Sequence, residues 1–241
     1  MDIKRIASLA VSLSLLLPTL ALANGQTVDD PPPYTSGRSG GSRGCSTNRL
    51  ITAENPPTLI LLAPSQGFGQ TTNTRPSFAW FVNEPEPKEM EFRLYKYDSA
   101  SQEEELVTKI HDKNFKSSTG IMVLSLGAPL PELSVNQTYV WQVVLKCESG
   151  QPDSYLSADA AIKVVDLPAE LATKLADEED ILKKAALYQN ANLWYDSLNM
   201  AITAKSEPQG EELMLSLLEQ IADNKQESSK LQTSSIYQVK P

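Results

Sequence analysis

Apolar residues recur at two different periods along this chain, and the change between them divides it. From residue 58 to 166 the period is two. Phe78, Trp80 and Val82 alternate with Ala79 and Phe81, and Met90, Phe92 and Leu94 alternate with Glu91, Arg93 and Tyr95. Met122, Leu124 and Leu126 repeat the pattern. The clearest run places Tyr139, Trp141, Val143, Leu145 and Cys147 on one face, and Thr138, Val140, Gln142, Val144 and Lys146 on the other. Alternation of this kind marks strands with one buried face. Short strands punctuated by Pro, Gly and Asn predict an antiparallel β-sandwich over 58–166, with Trp80, Tyr139 and Trp141 as core anchors.

After Asp166 and Pro168, which suit a helix start, the period lengthens. Leu171, Leu175, Leu182, Ala185 and Ala186 form a helical stripe separated by charges. The stretch Tyr188 to Pro208 contains no internal proline or glycine, and a further helix is predicted from about Gly210 to Asp223. The helical region thus spans 167–224, and the polar 225–241 reads as a flexible tail. The fold class is α+β: a β-sandwich followed by a short helical region. In the adjacent pair Trp194 and Tyr195, side chains diverge by about 100° on a helix. Trp194 is predicted to be the structural anchor, and Tyr195 with Asp196 an exposed partner contact.

The beginning of the chain carries chemistry of another kind. Lys4 and Arg5 precede the apolar stretch Ile6 to Leu17, and Ala21-Leu22-Ala23 offers the small residues signal peptidase requires. Residues 1–23 read as a signal peptide cleaved after Ala23, and the apolar stretch is too short for a membrane span. The expected destination is periplasmic or secreted. Residues 24–57 form an arm, stiff at Pro31-Pro32-Pro33 and rich in glycine from Gly37 to Gly44, held at Cys45. Arg38, Arg43 and Arg49 in this arm could hold an anion with exposed backbone amides, or be solvated. In an oxidising compartment Cys45 and Cys147, the two cysteines of the chain, are expected to pair. The closed loop of about 100 residues would supply about 4.7 kcal/mol in the chain-entropy account.

Composition narrows the function. With 41% apolar residues over 241 positions the chain can bury a core, and its net charge of −9 opposes nucleic-acid binding. One histidine and two cysteines leave little material for a histidine-rich metal site or a catalytic triad, and no pattern calls for a cofactor. His111 lies in a polar stretch and reads as a solvated side chain. Ser65 lacks the first glycine of a nucleophile elbow. The runs Glu103-Glu104-Glu105 and Asp177-Glu178-Glu179-Asp180 lack calcium-loop spacing and read as solvated faces.

Resemblances add to this reading. Leu62-Ala63-Pro64 with Gly67, then Pro76 to Trp80, resembles the opening strands of fibronectin type III and immunoglobulin-like modules, and Leu133 to Trp141 is similar to their tyrosine corner. Ala185, Tyr188, Ser197, Ala204 and Pro208 resemble one tetratricopeptide unit. Taken whole, three features resemble the cyanobacterial "domain of unknown function 928" family. They are Gly-Arg-x-Gly-Gly-x-Arg-Gly-Cys at 37–45, Tyr-x-Trp-x-x-x-x-x-Cys at 139–147, and Leu193-Trp194-Tyr195-Asp196-Ser197-Leu198. That resemblance implies an exported protein without assigned activity. The expected function is a non-enzymatic binding or assembly module using the helical tail against another exported or envelope protein. The alternatives are an exported hydrolase with a carboxylate pair, and a carbohydrate-binding module, which would need tryptophans exposed on a sheet face.

Overall fold

The computed structural model describes residues 37–38, 41–43, 59–64, 68–147 and 154–240. The predicted signal peptide, Cys45 and Arg49 lie outside the described residues. Among the described residues nine strands come first: β1 (Gly41–Arg43), β2 (Leu59–Leu61), β3 (Gly69–Thr71), β4 (Ser77–Val82), β5 (Met90–Asp98), β6 (Glu103–Ile110), β7 (Gly120–Ser125), β8 (Thr138–Lys146) and β9 (Tyr155–Val164). Five helices follow: α1 (Ala169–Asp177), α2 (Ile181–Asn190), α3 (Trp194–Thr203), α4 (Pro208–Ile221) and α5 (Lys225–Gln232), and then strand β10 (Ile236–Val239).

The strands form two sheets. One has the order β1-β9-β8-β5-β6 with β3 also on β9, and the other has the order β10-β7-β4-β2. The α+β class expected from the two periods is present, but the sheets are mixed rather than purely antiparallel. β3 runs parallel to β9, and β10 runs parallel to β7. Period-two patterning sets which face of a strand is buried and is silent on its direction. The inner faces share one core, in which Phe78 of one sheet lies 5.2 Å from Phe92 and 5.1 Å from Trp141 of the other, ring centre to ring centre. The Tyr139 hydroxyl accepts a hydrogen bond from the Ser134 amide at 2.8 Å, which fixes the entry into β8.

The segment 225–241 corrects the expectation of a flexible tail. Asn224 caps α5 by accepting from the Glu227 amide, Leu231 is fully buried, and β10 completes a sheet edge. A mean composition that is polar concealed two anchoring residues and a strand of four. In the helices, the small positions Ala185 and Ser197 meet between α2 and α3, where the Ser197 hydroxyl donates to the Ala185 carbonyl at 3.0 Å. Asp180 caps α2 by accepting from the Lys183 amide.

Candidate functional site

The tryptophan-tyrosine-aspartate motif does not face solvent. Leu193 ends a turn in which Asn192 adopts a positive φ of 60°, and α3 then begins directly with Trp194 against β3 and β4. Tyr195 is 1% exposed and its ring enters the core beside Phe78. Its hydroxyl accepts from the Trp141 indole N–H at 2.8 Å and donates to the Ala161 carbonyl at 3.3 Å. A side chain at Gly69 could not coexist with it, because a Cβ there would lie 2.5 Å from the Tyr195 ring. Burial pushes the Tyr195 phenol far above its ordinary value, so it stays neutral. Asp196 accepts from the Thr72 amide at 3.0 Å and the Thr72 hydroxyl at 2.8 Å. Burial raises its carboxyl against those hydrogen bonds.

The expectation that Tyr195 and Asp196 form a partner surface is therefore corrected: they stitch α3 to the strands. The 100° divergence correctly separated Trp194 from Tyr195 but did not say which direction was inward. Both directions are covered, since Trp194 is 7% exposed and packs edge-on against Tyr195. Trp80, Tyr139 and Trp141 are buried as expected. With Trp194 buried as well, tryptophan stacking on a sheet face is unavailable for a sugar.

Arg38 is also committed internally. Its guanidinium donates to both Glu227 carboxylate oxygens, at 3.0 and 2.7 Å, and to the Ile221 carbonyl at 2.7 Å, with Asp223 at 3.1 Å. The anion it holds is the protein's own. The side chain of Arg43 and all of Arg49 fall outside the described residues, as does Cys45. No described cysteine is free, and Cys147 sits half-buried after β8 with its amide donating to the Ser154 carbonyl.

The chemistry that does gather lies on the outer face of the larger sheet. Cross-strand register aligns Lys109 of β6, Arg93 of β5, Gln142 of β8 and Asp159 of β9 in one row. Hydrogen bonds run along it: Arg93 donates to the Gln142 carbonyl oxygen at 3.0 Å, and the Gln142 amide donates to Asp159 at 2.6 Å. One step along β5, Glu91 is 6% exposed and ringed by three cationic side chains and the His111 imidazole. Arg93 lies at 2.5 Å, Lys109 at 3.0 Å, His111 at 3.3 Å and Lys146 at 3.9 Å. Burial opposes ionisation of Glu91, but the hydrogen bonds from Arg93 and Lys109 outweigh it and hold the carboxyl below the usual range. His111 is thus engaged with a carboxylate rather than merely solvated. At the other end burial raises Asp159, with the Gln142 hydrogen bond and Arg93 opposing. Glu104, farther along β6, is raised by burial and by the charge of Asp159.

This row is reachable. The side chains of Arg93, Lys109, His111 and Lys146 retain 30%, 38%, 46% and 27% exposure, and Leu106, opposite Tyr95 on the same face, is 52% exposed. Among the described residues the helices pack mainly on β3 and β4. A separate open cleft of about 500 Å³ lies between the β6–β7 connection (Asp112, Asn114, Phe115, Lys116) and the end of β10 (Gln238, Val239, Lys240). No described cluster of three or more His, Cys, Asp or Glu side chains could hold a metal ion.

Sequence alternation had placed Glu91, Arg93 and Gln142 on outward positions. It could not show that β5 and β8 are neighbours in the register that joins them.

The chain is thus an α+β protein in which two mixed sheets share a core, α3 closes onto it, and a charged row crosses one outer face. A family model matches residues 38–231, and the chain belongs to the family described as Domain of Unknown Function (DUF928). No curated protein matches it. Among solved structures it is similar to a lytic polysaccharide monooxygenase important for efficient utilisation of chitin in Cellvibrio japonicus, at 13% identity and a TM-score of 0.23, over 40% of this chain and 54% of that one. The chain therefore spans about half the length of that protein.

Proposed function

We propose that this is an exported, non-enzymatic binding module, a β-sandwich of immunoglobulin-like kind braced by a tetratricopeptide-like helical region, that docks another exported or envelope protein. The observation that carries this reading is the half-exposed row Lys109–Arg93–Gln142–Asp159 with Leu106 beside it, on the face the described helices leave open. Fixed charges next to an exposed apolar side chain suit a polar-rimmed protein interface. The helical tail serves as brace, since its motif residues point inward. The test is capture from a periplasmic extract by immobilised mature protein, with mass spectrometry of what is retained. Leu106→Glu should lose the retained protein with the melting temperature within a few degrees of wild type. Undiminished capture would contradict the reading.

Export rests on the leader 1–23, and N-terminal sequencing of exported material should begin at Asn24. The Cys45–Cys147 bridge follows from the same reading. It is supported by the antiparallel register of β1, whose last residue Arg43 faces Tyr155, beside Ser154 on which the Cys147 amide bonds. Thiol titration of the unfolded, unreduced protein should find none free.

A second reading is an exported hydrolase, favoured by one observation: Asp159 and Glu104 share a face, and burial raises both carboxyls from their ordinary values. Hydrolysis of an exported polymer that vanishes in Asp159→Asn would support it.

A further inference from the structure

The geometry points to β10 as an exchangeable strand, delivered to β7 of a second copy of this chain to form a reciprocal dimer. The acceptor edge and its occupant are unequally secured. On β7, Ile121, Met122, Val123 and Leu124 are 0–1% exposed, whereas on β10 Ile236 and Val239 are half-buried and Tyr237 and Gln238 exposed. The strand is therefore held through its main-chain register on β7 and only two partly buried side chains, Ile236 and Val239, which pack against the core, the mode by which an extended segment is added to a sheet edge. It is nevertheless a close fit. Gly120 opens β7 at a φ of +131°, and a Cβ there would stand 2.5 Å from the Ser235 carbonyl oxygen. The Ile121 amide donates to that same oxygen at 2.9 Å. Gly120 thus lets the main chain entering β10 approach this edge closely.

The connection favours exchange. Only Thr233, Ser234 and Ser235 separate α5 from β10, and Ser234 is still tied to the helix through its amide on Leu231 and its hydroxyl on Lys230. α5 is itself anchored by Leu231 and Glu227, so the hinge is confined to these few residues. Short hinges between an anchored element and a weakly anchored one invite swapping, which makes dimers at low cost because every contact already exists in the monomer. Each copy would give its β10 and receive its partner's, a closed two-fold arrangement that leaves neither β7 edge bare.

The experiment uses the mature chain carrying Val123→Cys and Gln238→Cys, which are register partners across β7 and β10. The protein is concentrated, oxidised and separated by size exclusion with light scattering, then run on a non-reducing gel. The expected result is a dimer fraction in which the new disulfide links two chains, beside a monomer fraction in which it closes within one. A four-residue Gly-Ser insertion after Ser234 should shift the dimer fraction at least tenfold toward monomer. A synthetic peptide of residues 233–240, added in excess to the parent chain during concentration, should also deplete the dimer. A chain that stays monomeric at millimolar concentration overturns the proposal. So does a dimer whose disulfides are all within single chains, or one that persists after truncation following Thr233.

Discussion

Two polar networks in this protein use similar residues to opposite ends. In the seam between α3 and the strands, Tyr195, Trp141, Asp196 and Thr72 are paired in an environment almost closed to water. On the outer face of the larger sheet, Glu91, Arg93, Lys109, Gln142 and Asp159 are paired with about a third of the cationic side chains' surface still exposed. The seam is turned inward: the Tyr195 hydroxyl accepts and donates within the core, and Asp196 binds both donors of Thr72 while only 8% exposed. The face retains charged atoms that solvent reaches. Polar residues in a compact sequence motif can thus be structural, while the plainer alternating positions of a strand carry the accessible surface.

The comparison breaks most readily at Tyr195. Tyr195→Ala removes a fully buried ring and leaves the Trp141 N–H without an acceptor, and should cost about 3–5 kcal/mol, read as a large fall in melting temperature. Tyr195→Phe keeps the ring and isolates the loss of the hydroxyl. It should cost about 1–3 kcal/mol, the penalty of an unsatisfied buried donor. If Tyr195→Phe melts like wild type, the seam is not held as described.

Next in size is the arm latch. Glu227 is 2% exposed and binds Arg38 through both oxygens. Removing one partner of a buried pair typically costs about 3–5 kcal/mol. Glu227→Ala should cost less, about 2 kcal/mol, because Arg38 keeps 19% exposure and Asp223 remains beside it. Denaturant titration gives the value.

The smallest effects belong to the outer face and are resolved by pH. Glu91 has its folded pKa depressed, so its stabilisation is present above its ordinary value near 4.5 and is lost as pH falls through the folded value. Glu91→Gln should flatten that acid limb. Asp159 is raised, so its protonated form is favoured by folding, and the associated stability is lost as pH rises through the window above its ordinary 3.8. Asp159→Asn should therefore gain relative to wild type as pH rises to neutrality and gain little in acid. Melting curves from pH 3 to 7 on both variants sharpen the contrast. Opposite slopes would contradict the electrostatic assignment of the row.

Much of the fold was legible. The switch from period two to period three to four located the sheets and helices, and the alternation in β8 put Trp141 inside and Gln142 outside. Helix α4 runs Pro208–Ile221, close to the stretch expected from Leu213, Leu217 and Leu218. What was not legible depends on contacts between distant segments. Strand direction, the pairing of β5 with β8, and the docking of β10 on β7 leave no local periodicity. Tyr195 illustrates the limit of a helical wheel: beside Asp196 it reads as outward, until a glycine at position 69 and an indole N–H at 141 make room for its ring and hydroxyl. The candidate row was half-visible, as outward polar positions whose alignment appeared only with the register.

Residue-resolved hydroxyl-radical footprinting of the intact protein tests the division between seam and face most directly. The account predicts oxidation at Leu106 and His111, which are 52% exposed and 46% exposed at the side chain, and protection of Tyr195 and Trp141 at 1% and 0%. Oxidation of Tyr195 in the folded protein, with Leu106 and His111 protected, would contradict it.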